Sequence, residues 1–133
     1  MVQFHAIRTL EGLSRSGAAA ALVSAEDLGW GAGSQVDPAI LDGGLQLALL
    51  WTEHVLEGAS LPTAVAGLSV YGDGLGRARI HGVLYRDTVD KERAVSDVLF
   101  VTDDGAVVAK LRGVETHLLP VKPAAAAVLA GDA

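Results

Sequence analysis

Two hydrophobic rhythms run along the chain. Between Val36 and Trp51 apolar residues crowd together, and Leu41, Leu45, Ala48 and Trp51 recur at the spacing of a core-facing helical stripe. Asp37 is suited to cap that helix, and Pro38 to its first position, where a missing N–H costs nothing. The helix is expected to continue to about Val55. Its opposite side, with Ile40, Leu47, Leu49 and Leu50, is hardly more polar. A helix apolar nearly all round is usually wrapped by other structure.

The other rhythm is short and alternating. Residues 2–10 suggest a first strand and Glu11 to Gly17 a polar turn. Ala18 to Val23 reads as the returning strand of a hairpin. Residues 25–35, with Gly29, Trp30, Gly31 and Gly33, read as an irregular loop into the helix. Gly58-Ala59-Ser60 marks the helix stop, and Leu61 to Tyr71 a strand. The glycine cluster 72–76 invites a phosphate-loop reading. Such a loop needs a following helix N-terminus, whereas Arg77 to Tyr85 alternates as a strand. Asp87 to Glu92 is a charged turn. Arg93 to Thr102 and Ala106 to Leu118 form a hairpin through Asp103-Asp104-Gly105, where glycine tolerates the positive φ of a tight turn. One α+β domain over residues 1–119 is expected, with 120–133 a Pro/Ala-biased tail.

The helix carries one pair with chemical potential. Asp42 and Gln46 are four residues apart and share a face. A carboxylate buried in such a helix must be paired, hydrogen-bonded or protonated. Protonated, it becomes a general acid that Gln46 would orient. The plainer reading makes Asp42 an acid near the helix start, favoured by the helix dipole. Gly43 and Gly44 each cost about 1 kcal/mol relative to alanine inside a helix. Either close helix–sheet packing or room for a narrow ligand tunnel beside Asp42 would offset that cost.

Composition narrows the function classes. A net charge of −6 without a basic run argues against nucleic acid as a partner. No cysteine is present, so neither disulfides nor a thiol nucleophile operate. The long apolar stretch is broken by Asp42, Glu53 and His54, so it is a core helix and not a membrane span. With no signal peptide opening the chain, a cytoplasmic location is the default expectation. No two histidines show metal-ligand spacing with a carboxylate, so no metal is expected. Ser14, Ser16 and Ser24 lack a nucleophile-elbow sequence. His5 and His117 read as structural or surface residues, and His81 can face either side of its strand.

The words around the acidic pair resemble a known family. Asp-Pro-Ala-Ile-Leu-Asp-Gly-Gly-Leu-Gln over 37–46 is similar to the Pro-x-x-Leu-Asp-x-x-x-Gln run that opens the central helix in the second half of polyketide synthase dehydratase domains. Phe4 to Ile7, Leu61 to Tyr71 and the hairpin 97–114 resemble further segments of that half, in order, so the likeness covers about residues 3–119. It implies a hot-dog fold, an antiparallel sheet wrapped around one long helix. It also implies a catalytic Asp42 held by Gln46. The substrate would be a β-hydroxyacyl thioester on the phosphopantetheine of an acyl carrier protein, with no other cofactor. In that family the catalytic histidine belongs to the first hot dog, in His-x-x-x-Gly-x-x-x-x-Pro. Here His54, Gly58 and Pro62 come close, but the proline is one residue early and the histidine falls at a helix end. The expected partners are therefore a carrier protein and either an N-terminal hot-dog half or a second copy of the chain. Two other roles share the fold: a non-catalytic dimerisation or acyl-binding module of a synthase, and a thioesterase using a helix carboxylate to activate water.

Overall fold

The computed structural model describes residues 7–23, 38–71 and 79–119. The chain order is β1 (Ile7–Ser14), β2 (Gly17–Leu22), α1 (Pro38–Leu56), β3 (Ser60–Ala64), β4 (Gly67–Val70), β5 (Ile80–Val89), β6 (Arg93–Thr102) and β7 (Val107–Leu118). The strands form one antiparallel sheet in the order β1-β2-β5-β6-β7-β3, with β4 also pairing β7. Helix α1 lies on one face of it, against β2, β5, β6 and β7. This is the α+β arrangement expected, a sheet wrapped around one helix.

Strand alternation explains which side faces the helix. Ala18, Ala20 and Leu22 on β2, Ile80 and Leu84 on β5, and Val98 and Phe100 on β6 point inward and are buried. On β7 the inward set is Ala109 and Leu111, then Val114 and Thr116. The parity changes because β7 carries a bulge: Val98 pairs Leu111, whereas Ser96 pairs Val114. Gly113 occupies the bulge at φ +60, and its N–H donates to Asp97 Oδ1 over 2.8 Å. Without that extra residue, every side chain beyond it would point to the wrong face.

The same bulge divides the edge strand. Residues 61–71, expected as one strand, are β3 and β4, separated at Val65-Ala66. There the Ala66 N–H donates to the Arg112 carbonyl over 2.9 Å. Two other boundaries move. β1 runs on to Ser14, so the first turn is only Arg15-Ser16. β5 runs to Val89, and its turn is closed by Asp90 Oδ1, which accepts from the Glu92 and Arg93 N–H groups at 3.1 and 3.0 Å. The hairpin at Asp103-Asp104-Gly105 is as expected, with Gly105 at φ +89.

The rotation of α1 differs from the expected stripe. Ile40, Leu47, Ala48 and Trp51 are buried, while Leu41, Leu45, Leu49 and Leu50 are half-buried. Gly44 fixes this rotation. A Cβ there would lie 2.6 Å from Phe100 Cζ, so the helix rests directly on the Phe100 ring. The cost of Gly44 is thus offset by close helix–sheet packing, one of the two options left open by the sequence. Full burial of Trp51 and Phe100 contributes roughly 1.5–3 kcal/mol each. Trp51 also donates its indole N–H to the Ser14 carbonyl over 3.1 Å, which ties the helix to the end of β1. The Thr52 and Thr116 hydroxyls meet at 2.6 Å, where one donates to the other and the accepting hydroxyl keeps its own proton for a carbonyl, that of Ala48 or of Ala94, so neither buried hydroxyl is unsatisfied.

The helix does not stop on Gly58. Glu57 takes the left-handed turn at φ 57, and Gly58 is small because a Cβ there would meet Leu118 Cδ1 at 2.7 Å. Asp37, the expected cap, lies outside the described residues, as do the glycine cluster 72–76 and the tail.

Candidate active site

Asp42 and Gln46 stand one turn apart on α1, and the Gln46 amide donates to Asp42 Oδ2 over 2.7 Å. The spacing of the pair therefore produces the contact expected of it. The burial expected of Asp42 does not hold: its side chain is exposed, on the side of α1 turned away from the sheet. The physical reason is the Gly44–Phe100 contact, which sets the helix rotation and carries Asp42 outward.

The alternative dipole reading is weakened by the helix boundary. The first turn holds no acidic residue, so Asp42 opens the second turn. The dipole's influence falls off within the first turn. What remains is a carboxylate with one oxygen held by an amide and the other, Oδ1, open to solvent. Leu41 and Leu45, at the edge of the Asp42 face, pack against the core, while half-buried Leu49 and Leu50 lie nearer the outer side of α1.

The described histidines stand apart from this pair. His54 is exposed in the last turn of α1, twelve residues or roughly 18 Å along the helix axis from Asp42. His117 Nε2 bonds Glu115 Oε1 at 2.7 Å. Arg93 also binds Glu115, at 3.2 Å, and these two partners hold the carboxyl below the usual glutamate range, the His117 bond having the larger effect. His81 lies on the outer face of the sheet with both ring nitrogens engaged. His5 falls outside the described residues. Among the described residues no cluster of three His, Asp or Glu side chains could hold a metal ion. Among them, too, no helix is long and apolar enough to cross a membrane.

One polar constellation, that of His81 with Glu11 and Asp103, is not visible in the sequence. Alternation alone left the side of His81 open, and Glu11 was expected in a turn.

Comparison with known proteins bears on fold and family. Residues 2–126 match the family model described as polyketide synthase dehydratase N-terminal domain. No curated protein matches the chain. Among solved structures, the dehydratase domain of RzxB from Pseudomonas fluorescens is similar at 16% identity and a TM-score of 0.67, over 87% of this chain and 42% of that one. The dehydratase domain of a mycocerosic acid synthase-like polyketide synthase is similar at 21% identity and 0.64, over 77% and 36%. The PaaI protein of the E. coli phenylacetic acid degradation operon is similar at 16% and 0.66, over 83% and 78%. At these identities the structures establish the hot-dog fold. The chain spans less than half the length of the two dehydratase domains.

Proposed function

Since the chain belongs to the polyketide synthase dehydratase family, we propose that it is one hot-dog half of a dehydratase that converts β-hydroxyacyl thioesters on an acyl carrier protein into enoyl thioesters. The observation that carries this reading is the 2.7 Å bond from Gln46 to Asp42 at the start of α1. It fixes one carboxyl oxygen and leaves Oδ1 to reach a substrate hydroxyl. The matching model is described as an N-terminal domain. Assignment to the second half rests on the Pro38-x-x-Leu41-Asp42-x-x-x-Gln46 run of the helix.

In this proposal Asp42 is the general acid. Its Oδ1 proton passes to the β-hydroxyl as the C–O bond breaks, and water leaves. The α-proton goes to a base on another hot dog: among the described residues, His54 is too far from Asp42, and His81 and His117 are engaged elsewhere. Burial disfavours an ionised carboxyl and so favours a proton donor. A partner covering the outer side of α1 beside half-buried Leu49 would supply that burial.

The sheet offers a place for the partner. Residues 59–71, containing β3 and β4, carry no charged side chain. Leu61, Val65, Leu68, Val70 and Tyr71 are exposed along them. An uncharged edge with exposed apolar residues is open to strand pairing. The opposite edge, β1, bears Arg8 and Glu11. A second hot dog, whether a first half or another copy of this chain, would therefore join at β3–β4.

The test mixes the chain with a histidine-bearing hot-dog half and a β-hydroxyacyl carrier protein, followed by intact mass spectrometry. Loss of one water only when both halves are present is expected. Loss of the whole acyl group would instead establish a thioesterase. An unchanged mass under every combination would leave the scaffold role.

A further inference from the structure

The outer face of the sheet carries a three-residue cluster remote from α1. His81 Nδ1 lies 2.8 Å from Glu11 Oε1, and His81 Nε2 lies 2.6 Å from Asp103 Oδ1. Ionised carboxylates only accept hydrogen bonds. Both ring nitrogens must then donate, and the ring that satisfies this geometry is the imidazolium.

The local structure that brings the three together is specific. Leu10 pairs Ala20 and Gly12 pairs Ala19, so Glu11 is the extra residue of a bulge in β1. Between β1 and His81 runs β2, whose outward residues Ala19 and Ala21 are small enough for the Glu11 side chain to pass over. Asp103 comes from the other direction, out of the β6–β7 turn. One ring thus connects the edge strand β1, the central strand β5 and a hairpin turn.

We propose that His81 is a proton-dependent buckle, which in its protonated form clasps β1 and the β6–β7 turn to the outer face of the sheet and on losing its proton lets β1 loosen.

The charged surroundings agree with this. On β2 and β6 the residues paired with His81 are Ala21 and Val101, which carry no charge. Arg79 and Asp104 line a shallow hollow with Asp103, and Arg8 is the charged neighbour on β1, itself engaged in an interaction. The bond to Asp103 first, and that to Glu11 next, hold the His81 proton above the usual histidine range against the opposing effect of burial. A histidine held in this way stabilises the fold fully below its unfolded pKa, and that contribution is lost as pH rises through the folded value. The side chains of His81, Glu11 and Asp103 are 21%, 40% and 66% exposed, so solvent screens the clasp and its effect is local. β1 is the element to show it. Among the described residues it is an edge strand with β2 as its one strand partner, and seven of its eight residues are exposed.

Amide hydrogen exchange measures this directly. Rates for residues 8–14, corrected for their intrinsic pH dependence, are followed as pH rises from the ordinary histidine value, about 6.5, into the alkaline range. In the wild type, protection of β1 is expected to fall several-fold across the series, while that of Leu47 to Trp51 in the helix core stays constant. In His81→Gln, β1 is expected to be weakly protected throughout with no pH step. Glu11→Gln removes one of the two negative charges from the clasp without touching the ring, and the NMR titration of His81 should move to lower pH. A wild-type β1 whose protection ignores pH, or a step that survives His81→Gln, would overturn the proposal.

Discussion

Gln46 donates to one oxygen of Asp42 and leaves the other free, on a part of α1 that the protein's own sheet does not cover. The arrangement is prepared on one side only. Substitutions here are expected to affect chemistry far more than folding. Asp42→Asn and Gln46→Leu should each change unfolding free energy by less than about 0.5 kcal/mol, as for exposed positions generally. In a reconstituted pair of hot dogs, Asp42→Asn should reduce water loss at least about a hundredfold, the usual scale for a general acid. Gln46→Leu should reduce it less. Denaturant titration and intact mass spectrometry separate the two effects.

The β3–β4 edge should govern association. Leu68→Lys combined with Val70→Lys puts two charges on an edge that has none. Self-association measured by sedimentation is expected to weaken more than about tenfold, or 1.4 kcal/mol. The far-ultraviolet spectrum should stay unchanged, because both residues are exposed.

Gly44 should not tolerate a side chain. Alanine gains about 1 kcal/mol of helix propensity. It also places a methyl group against the fully buried Phe100 ring, and overpacking of that kind costs about 1–3 kcal/mol. A net loss of stability is expected for Gly44→Ala, and partial recovery when Phe100→Leu is added. Thermal unfolding of both variants checks this.

Glu57 is strained where a glycine would not be. It holds a left-handed conformation at φ 57 at the end of α1. Glu57→Gly is expected to raise stability by about 0.5–1 kcal/mol, visible as a higher denaturant midpoint with an unchanged slope.

How far the sequence revealed these features depended on how local their causes are. The start of α1 and the hairpin at Gly105 were legible, because a proline and an Asp-Gly pair act on their immediate neighbours. The pairing of Gln46 with Asp42 was legible for the same reason. The exposure of Asp42 was not. A helix with leucines on every side does not declare its rotation, and the contact that sets it, Gly44 on Phe100, joins residues far apart in the chain. The split between β3 and β4 was hidden likewise, since it follows from the bulge at Arg112-Gly113 on another strand. The His81 cluster needed a bulge in β1 and two alanines in β2 to come into view.

Oxygen exchange tests the role of Asp42 most directly. A β-hydroxyacyl carrier protein is incubated in labelled water with the reconstituted pair, and label entering the β-hydroxyl reports C–O cleavage and its reversal. The wild type is expected to incorporate label. Asp42→Asn should not, while circular dichroism shows it folded and sedimentation shows it still bound to its partner. Incorporation by Asp42→Asn at the wild-type rate would contradict the assignment of Asp42 as the acid.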